Sequence, residues 1–95
     1  MVAHMSTIPV FLNIDEQRMV PALQEAAVNL DGGPSEIVLD FSSVCRIDSG
    51  ALRALEDLAR VADDKAVKIV LRGVNIDVYK VLKLVKLSQR FSFVN

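Results

Sequence analysis

The chain opens with apolar residues at every second position. In IPVFLNI (8–14), Ile8, Val10, Leu12 and Ile14 alternate with other positions, the period of a strand. Pro9 lacks a ladder donor, so this strand is predicted to start late or lie near an edge. The period then changes. In DEQRMVPALQEAAVNL (15–30), Val20, Leu23, Ala26, Ala27 and Leu30 follow helical spacing. Pro21 is tolerated in a first turn and breaks a helix interior, so the helix is predicted to start late, and DGGP (31–34) ends it. EIVLDF (36–41) is nearly continuous apolar, which predicts a strand covered on both faces.

Residues 49–62 carry the clearest amphipathic pattern, with Leu52, Leu55, Leu58, Ala59 and Ala62 on one stripe. On the solvent side Arg53 and Asp57, and Glu56 and Arg60, stand four apart and are expected to pair. VKIVL (67–71) reads as the next strand. Asn75 then suits a helix cap, and Asp77 falls in the first turn, where the macrodipole favours an acid. VYKVLKLVKL (78–87) is expected to bury Val78, Val81, Leu82 and Val85, and FSFVN (91–95) forms a short last strand. The order β-α-β-α-β-α-β predicts an α/β fold whose sheet has a large parallel component.

Ninety-five residues make one small domain. The opening MVAHM has no pattern and a second methionine at Met5. Residues 1–7 are therefore read as an added or disordered start, residues 8–95 as a single domain, and His4 receives no role. Hydrophobic content of 52% argues for a packed interior and for a face that meets a partner. The net charge of −1 gives no case for nucleic acid or membrane binding. Charge is uneven: residues 1–47 hold six acids and two bases, residues 48–95 six acids and nine bases. No apolar run approaches about 18 residues, so no membrane span or signal peptide is expected. One cysteine permits no internal disulfide and fits a reducing compartment.

The chemistry that is missing narrows the function. There is no G-x-x-x-x-G-K phosphate loop. With one cysteine and one histidine, no metal site or nucleophile–histidine–acid arrangement can be assembled. No cofactor and no catalysis are expected; protein–protein contact is.

Where strand hands over to helix stands CRIDSGALRAL (45–55). Asp48, Ser49 and Gly50 have a plain reading as a helix start, in which Asp or Ser caps the orphan amides and Gly permits the turn. A hydroxyl at that point can also dock a partner or accept a phosphoryl group. Cys45 reads as a small core residue, and Arg46 as solvated or as a cap on a neighbouring turn. Lys80, Lys83, Lys86 and Arg90, three, three and four apart, form one basic stripe if the helix continues through them. Such a stripe is either a solvated face or a contact for an acidic partner.

The string IVLDFSSVCRIDSGALRALEDL resembles the core of a STAS domain, and the resemblance runs from about Val10 to Leu87. It implies a STAS-like (SpoIIAA-like) fold: a small mixed sheet of about four strands with about three helices on one side. It also implies a domain that binds proteins rather than catalysing. Anti-sigma-factor antagonists of this family read Asp-Ser-Ser-Gly-Leu here, with the second serine phosphorylated. In this chain that position holds Gly50, which has no hydroxyl, although Ser49 keeps one. The small STAS subunit of Mla-type phospholipid-trafficking ABC transporters reads Asp-Thr-Gly-Gly-Leu or similar, and Ser49 keeps the hydroxyl of that threonine. NIDEQRMVPAL and GVNIDVYKVLKLVKL resemble further stretches of that MlaB-like subunit, while Ala51 replaces a common glycine.

The MlaB-like resemblance implies a cytoplasmic accessory subunit on the transporter's ATPase, peripheral to the inner membrane through that partner and not inserted in it. Asp48, Ser49, Gly50, Arg53, Asn75, Lys80 and Lys83 are the expected contact or regulatory residues, and Ser49 the candidate for phosphorylation. The alternatives are an antagonist that binds an anti-sigma factor or kinase, and the STAS domain of an anion transporter.

Overall fold

The computed structural model describes residues 10–94. Its elements are β1 (Val10–Asn13), α1 (Met19–Asn29), β2 (Glu36–Asp40), α2 (Ser49–Lys65), β3 (Lys68–Arg72), α3 (Ile76–Leu84) and β4 (Ser92–Val94). The strands form one sheet in the order β1-β2-β3-β4. Every described pairing is parallel, from Leu12 beside Leu39 to Leu71 beside Phe93, so the mixed pairing expected of the sheet is absent among the described residues. Among those residues no helix is long and apolar enough to cross a membrane. Ile8, Pro9 and Asn95, read above as strand residues, lie outside the described residues.

The register sorts the strand residues onto two faces. Val10, Leu12, Ile37, Leu39, Ile69, Leu71 and Phe93 share one, and they pack with Leu23, Leu55, Leu58, Val78 and Leu82 of the three helices into one core. All three helices therefore lie on this side. The other face bears Phe11, Val38 and Val70, and among the described residues no helix lies on it. This corrects the expectation that β2 is covered on both faces: Ile37 and Leu39 are buried, while Glu36, Val38 and Asp40 are half-buried.

The helix starts follow from side-chain chemistry. Asp15 caps a 3-10 turn (Glu16–Arg18) by accepting from the Gln17 amide at 2.9 Å. Pro21 then stands third in α1, where its missing N–H leaves no helical bond unmade. Asp48 caps α2 by accepting from the Ala51 amide at 2.8 Å, and Asn75 caps α3 by accepting from the Val78 amide at 2.8 Å.

Two helix ends depart from the expected ones for one reason. Beyond Lys65, Ala66 turns left-handed (φ 56°), and the Val67 amide reaches back to the Ala62 carbonyl at 2.9 Å. Beyond Leu84, Lys86 does the same (φ 65°), with the Leu87 amide on the Leu82 carbonyl at 2.8 Å. Both are Schellman endings in which a buried apolar residue, Val67 or Leu87, folds back against the helix. Thus α2 runs three residues past its expected end, and α3 stops at Leu84. Val85, expected in the core, is exposed, and Val81 is only half-buried.

Candidate functional site

The loop of residues 41–48 carries the chain from β2 into α2. Phe41 is fully buried and its amide donates to the Arg72 carbonyl at 2.7 Å, so the loop starts from a fixed point. The Ser42 amide and hydroxyl both donate to Asp40 Oδ1. These two bonds, the hydroxyl's first, hold the Asp40 carboxyl below the ordinary carboxylate range, and the Arg72 charge adds to them against a small desolvation cost. Val44 is buried and pins the middle of the loop. Cys45, expected in the core, is exposed, because its neighbour Val44 takes the inward position. Arg46 is exposed, as expected of a solvated base.

Two side chains from elsewhere reach this loop. Glu16 Oε1 accepts from the amides of Cys45 (2.6 Å) and Arg46 (3.0 Å). Asn75 Nδ2 donates to the carbonyls of Val44 and Cys45, each at 3.2 Å. Behind the loop, Gly73 has φ 72°, and a Cβ there would lie 2.6 Å from Ser42 Oγ and 3.2 Å from Ser42 Cα. The Gly-Val-Asn stretch is thus explained by geometry: the glycine makes room for Ser42, and the asparagine holds the loop and caps α3.

At the far end of the loop, α2 begins. Asp48 is spent on the cap, whereas Ser49, Gly50 and Arg53 are exposed. The Ser49 hydroxyl makes no hydrogen bond within the described residues. Gly50 does not have a left-handed backbone, and a Cβ on it would meet nothing closer than Asp48 Oδ1 at 3.5 Å. The chain's own packing therefore does not require glycine at 50.

Shallow hollows flank this helix start. One, of about 240 Å³, runs from Ser49, Leu52 and Arg53 to Val85 and Leu87. Another, of about 160 Å³, lies between α1 and α2 and is lined by Val20, Ala27, Gly50, Arg53, Ala54 and Val61. Arg53 lines both, one on either side of α2. It does not pair with Asp57 as its spacing suggested; Asp57 is held by Arg60 at 2.8 Å, three residues on, so the expected Glu56–Arg60 pair is also not formed.

Of the residues singled out from the sequence, the fold brings Asp48, Ser49, Gly50 and Arg53 together, with Asn75 behind them. Lys80 and Lys83 are exposed on α3 and line neither hollow beside Ser49. The basic stripe is not one helical face, because Lys86 lies past the end of α3 and Arg90, in the 3-10 turn Ser88–Arg90, pairs with Asp63 at 2.6 Å. Sequence reasoning gave no role to Glu16 or Gly73. Their partners lie about thirty residues away, at Cys45, Arg46 and Ser42, and local patterning carries no signal for such contacts.

The family model of the STAS domain matches residues 10–95. No curated protein sequence matches the chain. Among solved structures it is similar to the 1.59 Å crystal structure of a Thermotoga maritima protein, TM1081, described provisionally as an anti-sigma factor antagonist. There the TM-score is 0.71 at 23% identity, covering 93% of this chain and 75% of that one. The NMR structure of the protein TM1081 gives a TM-score of 0.72 at 18% identity, covering all of this chain and 84% of that one. At such identities the likeness is one of fold.

Proposed function

From the premise that this chain belongs to the STAS domain family, we propose that it is a non-catalytic docking module. It binds the cytoplasmic ATPase of an Mla-type phospholipid-trafficking ABC transporter through the start of α2. The observation that carries this reading is Ser49: an exposed hydroxyl with no hydrogen-bond partner among the described residues, on a helix start capped by Asp48, beside a hollow whose apolar wall is Leu52, Val85 and Leu87. Gly50 supports it. A residue whose absent side chain is not demanded from within leaves room for a partner's backbone to approach from without. Arg53, between the two hollows, supplies a charge that orients the partner. Lys80 and Lys83 extend a basic rim for acidic groups farther along. On this reading the protein works in the cytoplasm, held at the inner membrane only through its partner, and residues 8–95 act as a single binding domain.

The test is co-purification with the purified ATPase subunit of an Mla-type transporter, with ATP turnover measured alongside. Wild-type protein is expected to co-purify and to change turnover. Arg53→Glu should weaken the complex about tenfold or more, and Gly50→Glu should abolish it while leaving the domain folded. Absence of co-purification by the wild type overturns the proposal.

A second reading is favoured by one specific observation, the exposure of the Ser49 hydroxyl at the start of α2. On that reading a partner kinase phosphorylates Ser49. Intact-mass measurement after incubation with the kinase decides: addition of one phosphate, lost in Ser49→Ala, supports it, and an unmodified chain rejects it.

A further inference from the structure

Three stretches far apart in the sequence meet on one loop. The loop of residues 41–48 has little of its own to fix its second half. Among the described backbone bonds, only the Val44 amide, on the Phe41 carbonyl at 2.9 Å, closes within it. The amides of Cys45 and Arg46 and the carbonyls of Val44 and Cys45 are satisfied from outside, by Glu16 from the turn before α1 and by Asn75 from the turn before α3. We infer that Glu16 and Asn75 are positioning residues that clamp this loop, and with it the start of α2, in the conformation that presents Ser49. Their effect on binding rests on the docking reading; the clamp itself does not.

The chemistry of each side chain suits its part. One carboxylate oxygen facing two successive amides draws both peptide groups toward a single point, and a charged acceptor makes the stronger kind of hydrogen bond. Asn75 divides its amide between two tasks. Its Oδ1 caps α3 at the Val78 amide, and its Nδ2 holds the loop before α2. One residue therefore ties the start of α3 to the loop that leads into α2. The stretches NIDEQRMVPAL and GVNIDVYKVLKLVKL contribute one clamp residue each.

The residue types allow a clean separation of roles. Glu16→Gln keeps an Oε1 acceptor, whereas Glu16→Ala removes it. Asn75→Asp keeps the cap acceptor for α3 and removes the donor to the loop. The measurement is amide hydrogen exchange on the free 95-residue chain by NMR. In Glu16→Ala the Cys45 and Arg46 amides should exchange about tenfold faster than in wild type, with the Ile37–Leu39 amides unchanged. Glu16→Gln should keep most of the protection. Asn75→Asp should speed exchange at Cys45 and Arg46 and leave Val78 protected. Unchanged exchange at Cys45 and Arg46 in both Glu16→Ala and Asn75→Asp overturns the inference, as does equal loss in Glu16→Gln and Glu16→Ala. Because no partner is needed, failure of the clamp is separable from failure of the docking reading, which the ATPase experiment tests.

Discussion

Gly33 and Gly73 both have positive φ, at 80° and 72°, yet they do not carry the same burden. At Gly33 an added Cβ meets nothing within 4 Å; at Gly73 it collides with Ser42, including the backbone Cα. Gly33→Ala should therefore cost only the left-handed strain, about 1 kcal/mol, and Gly73→Ala about 2–3 kcal/mol, because Ser42 must also move. Urea denaturation of the two variants checks the difference. Asp40 makes the neighbouring prediction. Its carboxyl is held below the usual range chiefly by the Ser42 hydroxyl and amide, so it stabilises the fold above the unfolded value of about 4. That contribution is lost as pH falls through the folded value. Asp40→Asn should lower stability at pH 5–8, where that contribution is fully present, and flatten the profile below about pH 4, as acid titration followed by circular dichroism would show.

At the scale of elements, the helix starts were legible and two of the three helix ends were not. Asp48 and Asn75 are good caps by residue type, and both act as caps. The end of α3 carried no such mark. Val85 continues the apolar stripe, and the left-handed position holds Lys86 rather than glycine, so nothing in the local pattern says stop. The reason for the stop lies in the core: Leu87 is buried against the helix end only if the chain turns back at Lys86. The same holds at Ala66 and Val67. Both endings keep a side chain in a backbone region that costs it about 1–2 kcal/mol. Ala66→Gly and Lys86→Gly should each therefore stabilise the protein by roughly 0.5–1 kcal/mol after the larger unfolded-state entropy of glycine is counted. Paired thermal melts measure it, and a loss of stability in either variant would contradict the assignment of these turns.

For the whole molecule, strand periodicity foretold the alternation of elements but not the one-sided cover. Val38 was read as core because EIVLDF is nearly continuous apolar, yet among the described residues no helix lies on its side of the sheet. The two faces should respond differently to change. Leu39, fully buried, should cost about 2–5 kcal/mol as Leu39→Ala. Phe11 is 52% exposed, with the Arg72 guanidinium 6.0 Å from its ring centre. Phe11→Ser should cost about 1 kcal/mol or less, since much of the ring is in water in either state. Denaturant midpoints of the two variants test the asymmetry. Of the proposed docking surface, Asp48, Ser49, Gly50 and Arg53 were visible as a contiguous string, whereas Glu16 and Gly73, which pack against the loop before them, become visible only when distant segments are brought together.

The sheet order has one more consequence. Its described strands lie side by side in the order in which a ribosome makes them. Each new strand finds its neighbour already emerged and never has to insert between two older ones. Such a chain can assemble from its first end during synthesis, with β4, only three residues long, closing the far side last.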